Sequence, residues 1–135
     1  MITQEPKLLK IGQLAHSSGV PVKTIRYYED IGLLRADGRT EGQYRLFHDS
    51  NVVRLGFIKR LQGLGLSLQE IADCLAVYDH GELPCKDIHA KLAHQVENID
   101  RQVTELLLLR QELTSLLTTW NSSPTTTANA ICPNL

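Results

Sequence analysis

Apolar residues at Ile11, Leu14 and Ala15 recur at helical spacing within Leu9–Ser17, which predicts a short amphipathic helix. Ser17-Ser18-Gly19-Val20 interrupts it, and Pro21 suits the first turn of a second helix. On that second helix Val22, Ile25 and Tyr28 (or Glu29) share one face. Two short helices around a tight glycine-bearing turn form the helix-turn-helix pattern. The opposite face carries Lys23, Thr24, Arg26 and Tyr27, side-chain types that reach base edges and phosphates. Taken alone, the stretch fits a solvated amphipathic helix equally well.

The pattern then changes period. In Arg35–Phe47 the pairs Asp37-Gly38 and Glu41-Gly42 are turn signals, and Tyr44, Leu46 and Phe47 favour strands. The expectation is a two-stranded wing bearing Arg35, Arg39 and Arg45 that leans on the helices, because an isolated hairpin is unstable. Asp49 or Ser50 opens a further helix to about Leu64, with Val53, Phe57 and Leu61 facing inward. Gly63 and Gly65 close it, and Ser67 with Glu70 makes a capping box for the next helix, Leu68–Tyr78.

Beyond Asp79-His80-Gly81 the chain runs from Leu83 to about Leu117 without glycine, and Pro84 falls in the first turn. Leu92, Val96, Ile99, Val103, Leu106, Leu113 and Leu117 follow a near-heptad seam. Such a helix, about 50 Å long at 1.5 Å per residue, outruns the preceding domain and needs a partner helix, naturally that of a second copy. Arg110 falls on the seam and must reach a carboxylate or snorkel to solvent. The tail Thr118–Leu135 is rich in Thr, Ser, Asn and Pro and non-periodic, and is read as a mobile loop ending in Ile131-Cys132-Pro133, with Trp120 as its anchor against the core.

With 135 residues, 42% of them hydrophobic and 21% charged, the chain suits one compact domain or a small domain with an extension. The domain reading is 1–80 for the winged helix-turn-helix, 81–118 for the long helix and 119–135 for the loop. No apolar run is long enough for a membrane span, and MITQEPKLLKIGQLAHSSG has no leader-like apolar stretch, so a cytoplasmic protein with no membrane partner is expected. The net charge of −1 hides an asymmetry: residues 1–67 carry ten Lys/Arg against six Asp/Glu, whereas residues 68–135 carry four against nine. A basic half suits a polyanion such as nucleic acid. Cys74, Cys85 and Cys132 are too few for a secreted disulfide framework. Neither HExxH, CxxC, a nucleophile elbow nor a phosphate loop occurs, which argues against an enzyme.

The order of these features resembles the MerR family of bacterial transcription regulators along nearly the whole chain. The carrying residues are Ile11-Gly12-Gln13-Leu14-Ala15, Gly19-Val20, Thr24-Ile25-Arg26-Tyr27-Tyr28-Glu29 and Gly32-Leu33-Leu34. They continue in Arg39-Thr40, Gln43-Tyr44-Arg45, Arg54-Leu55-Gly56-Phe57-Ile58 and Leu64-Gly65-Leu66-Ser67-Leu68-Gln69-Glu70-Ile71. The resemblance implies a mainly α fold: a winged helix-turn-helix DNA-binding domain followed by a long dimerisation helix, paired as an antiparallel coiled coil in a homodimer. It implies an activator on double-stranded promoter DNA that reaches RNA polymerase through the promoter, distorting the DNA when an effector binds. Carried onto this chain, Lys23, Thr24, Arg26 and Tyr27 would meet the major groove. Arg39, Tyr44 and Arg45, with Arg54, would hold phosphates.

The resemblance also bears on the effector. Metal-responsive members place thiols at the start of the dimerisation helix and in the loop beyond it, and Cys85 and Cys132-Pro133 match those places. Cys85 points to the branch that senses divalent soft metals, and thiolates suit Hg, Cd, Pb or Zn. The chain departs from the pattern at Thr118–Thr119, where the first loop cysteine would fall. His89, one turn beyond Cys85, is the candidate third ligand, with His80, Asp79, Glu82 or water as further donors. The missing thiol leaves a thiol-redox or electrophile sensor using Cys85 and Cys132 as the alternative. Cys74, among apolar neighbours, reads as a small core residue.

Overall fold

Leu8–Lys10 is extended and forms strand β1, so the first helix begins at Ile11 and not at Leu9. The cause is non-local: β1 pairs antiparallel with a strand nearly forty residues later, Leu9 facing Phe47, and both side chains are buried. The computed structural model describes residues 7–135; residues 1–6, the start of the stretch read as free of a leader, lie outside the described residues.

After β1 come helix α1 (Ile11–Ser18), helix α2 (Val22–Asp30), strands β2 (Gly38–Arg39) and β3 (Arg45–His48), and helices α3 (Ser50–Gly63), α4 (Leu68–Asp79) and α5 (Cys85–Thr118). The sheet order is β1-β3-β2, with Arg39 opposite Arg45. The wing is therefore one edge of a three-stranded sheet and not a free hairpin. Asp37-Gly38 is not a turn: Gly38 is in β2, and the Asp37 N–H donates to Leu46 O (2.8 Å). The reversal lies at Glu41-Gly42 alone, as one of the two turn signals had it.

Leu14, Ile25, Phe47, Leu55, Ile58 and Ile71 are fully buried where α1, α2, the sheet, α3 and α4 meet, and each such side chain contributes about 1.5–3 kcal/mol. Ile88 and Leu92, from the start of α5, pack against the same core. The inward face of α3 differs from the expected one: Leu55, Ile58 and Leu61 are buried, Phe57 is half-buried, and Val53 is 77% exposed. Apolar residues at 52, 53, 55, 57, 58 and 61 fit two overlapping stripes, and packing against α1 and α4 selects the one that carries Leu55, Ile58 and Leu61. Asp49 occupies the N-cap of α3 without a side-chain capping bond. At α4 the capping box forms as expected, with Glu70 N–H donating to Ser67 Oγ (3.1 Å) and Ser67 N–H to Glu70 Oε1 (3.0 Å).

The chain divides into two compact units, Met1–Leu92 and Ala93–Leu135. In the second, Val96, Ile99, Val103, Leu106, Leu113 and Leu117 are 47–70% exposed. The tail that follows is closed on itself: Asn134 Oδ1 accepts the Asn121 N–H (2.8 Å), and Asn134 Nδ2 donates to Asn121 O (2.9 Å). Trp120 is half-buried to exposed at the end of α5, its N–H bonded to Leu117 O (3.3 Å). No helix among the described residues is long and apolar enough to cross a membrane.

Candidate nucleic-acid interface and thiol sites

The turn between α1 and α2 is built from Gly19, whose φ of +73° lets its N–H return to Ala15 O (2.9 Å), and such a left-handed position favours glycine. Pro21 then sits at the N-cap of α2 and fixes the entry of that helix. Ile25 and Tyr28 face the core, and the Tyr28 hydroxyl donates to Gln62 Oε1 (2.6 Å). Burial pushes the Tyr28 hydroxyl pKa up. The remaining face presents Lys23, Arg26 and Tyr27 to solvent, with Thr24 half-buried.

The wing tip is a tight reversal. Thr40 N–H donates to Tyr44 O (2.8 Å) and Gln43 N–H to Thr40 O (2.9 Å), with Gln43 in the left-handed region at φ +67°. Gly42 lies close under the Tyr44 ring: a Cβ there would sit 3.2 Å from it, so a side chain would need the ring to shift slightly. The ring itself is 69% exposed.

Between wing and helices lies an open cleft of about 670 Å³, lined by Lys10, Ile11, Gly12 and Gln13 from the start of α1, Arg26 from α2, and Arg39, Gln43, Tyr44 and Arg45 from the wing. The fold thus brings together four of the residues expected on the DNA face: Arg26, Arg39, Tyr44 and Arg45. Lys23, Thr24 and Tyr27 lie on α2 outside the cleft. Lys10, Gln13 and Gln43 line it without having been singled out in the sequence. No local pattern marks them: Gln13 is held by the backbone N–H of Lys10, which donates to its Oε1 (2.9 Å), a helix cap that any residue at position 10 but proline could make.

Arg45 is held from behind: its Nε forms an ion pair with Glu29 Oε1 on α2 (3.1 Å). Arg54 is not on this surface. Its Nε donates to Leu33 O (2.7 Å), and its two terminal nitrogens grip Asp79. The guanidinium hydrogen bond holds the Asp79 carboxyl below the usual carboxylate range.

Among the thiols, Cys74 is fully buried, and burial pushes its pKa up, which makes it a core residue. Cys85 is exposed at the first position of α5, and His89 is exposed one turn later on the same face. Cys132 is partly exposed within the closed tail, its carbonyl accepting the Leu135 N–H (3.1 Å). Among the described residues no group of three or more His, Cys, Asp or Glu is arranged to hold a metal ion. Taken singly, a thiol is a soft donor and an imidazole a borderline one.

Two family descriptions match the chain: "MerR HTH family regulatory protein" over residues 9–77, and "MerR, DNA binding" over residues 52–116. The mercuric resistance operon regulatory protein of Bacillus cereus is 41% identical over 107 residues, covering 79% of this chain and 81% of that protein. Among solved structures, the regulator PbrR691 of Ralstonia metallidurans CH34 in complex with lead(II) superposes with a TM-score of 0.74 at 32% identity, covering 87% of this chain and 92% of that one. HiNmlR, a MerR family regulator lacking the sensor domain and bound to promoter DNA, gives a TM-score of 0.56 at 25% identity, covering 83% of this chain and 85% of that one.

Proposed function

The chain belongs to the MerR family of transcriptional regulators, not enzymes, and we propose that it acts as a homodimer on promoter DNA, switched by a soft divalent metal ion. The observation that carries the DNA part is the cleft that joins Arg26 of α2 to Arg39, Tyr44 and Arg45 of the wing. In this reading Lys23, Thr24, Arg26 and Tyr27 enter the major groove with α2, and the wing side chains hold phosphates beside it. Backbone contacts of this kind set affinity and register, while base-edge contacts set sequence. Arg54 takes no phosphate here; it braces the α2–β2 connection from behind through Leu33 O and Asp79.

The exposed seam of α5 supports the dimer, since a helix with an uncovered heptad stripe is stabilised by a second helix. An antiparallel pairing brings the start of α5 in one subunit towards the end of α5 in its partner. Cys85, with His89 beside it, and Cys132 of the other subunit would then hold the ion. When bound, Hg, Cd, Pb or Zn would supply a strong thiolate cross-link between the subunits. The names of the similar proteins, a mercuric resistance regulator and a lead-bound regulator, support this class of effector. DNA distortion at the promoter would carry the signal to RNA polymerase.

Titration of the reduced protein under anaerobic conditions with zinc, cadmium, lead and mercury, followed by thiolate-to-metal absorbance, tests the metal reading. One or two ions per dimer, lost in both Cys85→Ser and Cys132→Ser, is the expected result. Binding no tighter than to a free thiol would leave the redox or electrophile sensor. That second reading is favoured by one feature, the presence of only two solvent-reachable cysteines with no thiol at Thr118 or Thr119.

A further inference from the structure

Glu29 is a carboxylate placed behind a surface that the chain uses for a polyanion. Its position has a geometric consequence. Arg45 pairs with Glu29 Oε1 through Nε alone (3.1 Å), and the Arg45 side chain remains 38% exposed along the cleft. Among the described residues its two terminal nitrogens make no hydrogen bond or ion pair, so they are free to take a partner in the cleft that Arg45 lines. Arg54 shows the opposite arrangement, with Nε and both terminal nitrogens consumed inside the protein. Glu29 itself is 18% exposed, and its Oε2 is buried with no hydrogen-bond partner among the described residues.

We propose that Glu29 is a positioning residue for DNA binding: it anchors Arg45 by Nε so that the free fork is presented to a backbone phosphate, and it thereby locks the wing to α2. A guanidinium can do both at once because its donors lie in one rigid plane, and a two-pronged grip on a phosphate uses only the terminal pair. Anchoring also removes rotamer freedom before binding, so less is lost when the phosphate arrives. A carboxylate so close to DNA repels it through space; the anchoring gain must exceed that repulsion. This inference rests on the DNA-binding reading above.

The two effects have opposite signs, which makes them separable. Glu29→Ala removes a negative charge, so electrostatics alone would tighten binding to every duplex. Loss of the anchor would instead weaken it. Glu29→Gln keeps an oxygen for Arg45 Nε without the charge. The probes are a duplex enriched from a random library by the wild-type protein, and a scrambled duplex of the same composition. The expected result for Glu29→Ala is an approximately tenfold loss on both duplexes at an unchanged unfolding temperature, since a phosphate contact carries no sequence, with Glu29→Gln within about twofold of wild type on both.

Tighter or equal binding of the enriched duplex by Glu29→Ala would overturn the proposal. A loss as large in Glu29→Gln as in Glu29→Ala, or one that tracks a lowered unfolding temperature, would reduce Glu29 to a structural role and also overturn it. If Glu29→Ala does not fold, Glu29→Met, of similar length and with no buried unpaired oxygen, carries the same expectation. Failure of the wild type to enrich any duplex would instead sink the DNA-binding reading itself.

Discussion

Arg54 and Asp79 form a two-pronged ion pair, Nη1 to Oδ1 at 2.8 Å and Nη2 to Oδ2 at 3.0 Å, that ties the middle of α3 to the end of α4. The same guanidinium is outside the DNA-facing cleft, and its Nε donates to Leu33 O (2.7 Å). An arginine that the family motif would send to phosphate is thus a brace.

Replacing Arg54 by Ala should therefore cost stability. Asp79 is half exposed, so the loss is set at about 1–2 kcal/mol and not at the value of a buried pair. Thermal unfolding should shift down by roughly 4–10 °C. The Asp79 carboxyl titrates lower in the folded protein than its unfolded value near ~3.9. The pair's contribution is then complete above that unfolded value and lost as pH falls through the lower folded one. The gap between wild type and Arg54→Ala should be constant around neutrality and narrow only in strong acid.

Salt titration of DNA binding separates brace from contact. Arg39→Ala removes one phosphate contact and should lower the slope of log affinity against log salt by about 0.9. Arg54→Ala, assayed well below its unfolding temperature, should leave the slope unchanged. An equal change in both would contradict the assignment of Arg54 to the Asp79 brace.

The seam of α5 predicts an oligomeric switch. Val103→Glu places a charge in the middle of the exposed stripe, where an unpaired buried charge disfavours helix pairing. Sedimentation should show two chains associating in the wild type and one in the variant, with helicity of the first unit retained. A variant that remains a dimer would place the interface elsewhere.

Thiol chemistry should divide the cysteines. In the native reduced protein Cys85 and Cys132 should react with a thiol reagent, while Cys74, buried and with its pKa raised, should react only on unfolding. Asn134→Ala opens the clasp to Asn121, so Cys132 alkylation should accelerate several-fold with Cys85 unchanged. Equal rates in wild type and variant would mean that the clasp does not govern access to the tail.

Local chemistry made much of this legible. Ser67 and Glu70 announce their capping box because both partners lie within one turn, and Pro21 marks the entry of α2 because its φ is fixed. The face of α2 followed from period alone, since Ile25 and Tyr28 leave Lys23, Arg26 and Tyr27 outside. By contrast, Leu8–Lys10 carries no local strand signal, and its conformation is set by hydrogen bonds to residues 46–48. The sequence pattern of α3 fits two faces, and it is packing against α1 and α4 that leaves Val53 outside the core.

What the amino-acid order determined by itself was the five helices, the basic face of α2, the uncovered stripe of α5 and the presence of thiols at the start of α5 and in the tail. These depend on spacing within a few turns, which chain connectivity enforces. The tertiary structure decided which charged groups are available. Arg45 and Arg54 are the same residue type in the same motif-bearing region, yet one is anchored with its fork open and the other is consumed. That difference arises from Glu29, Leu33 and Asp79, neighbours in space whose placement no local pattern encodes.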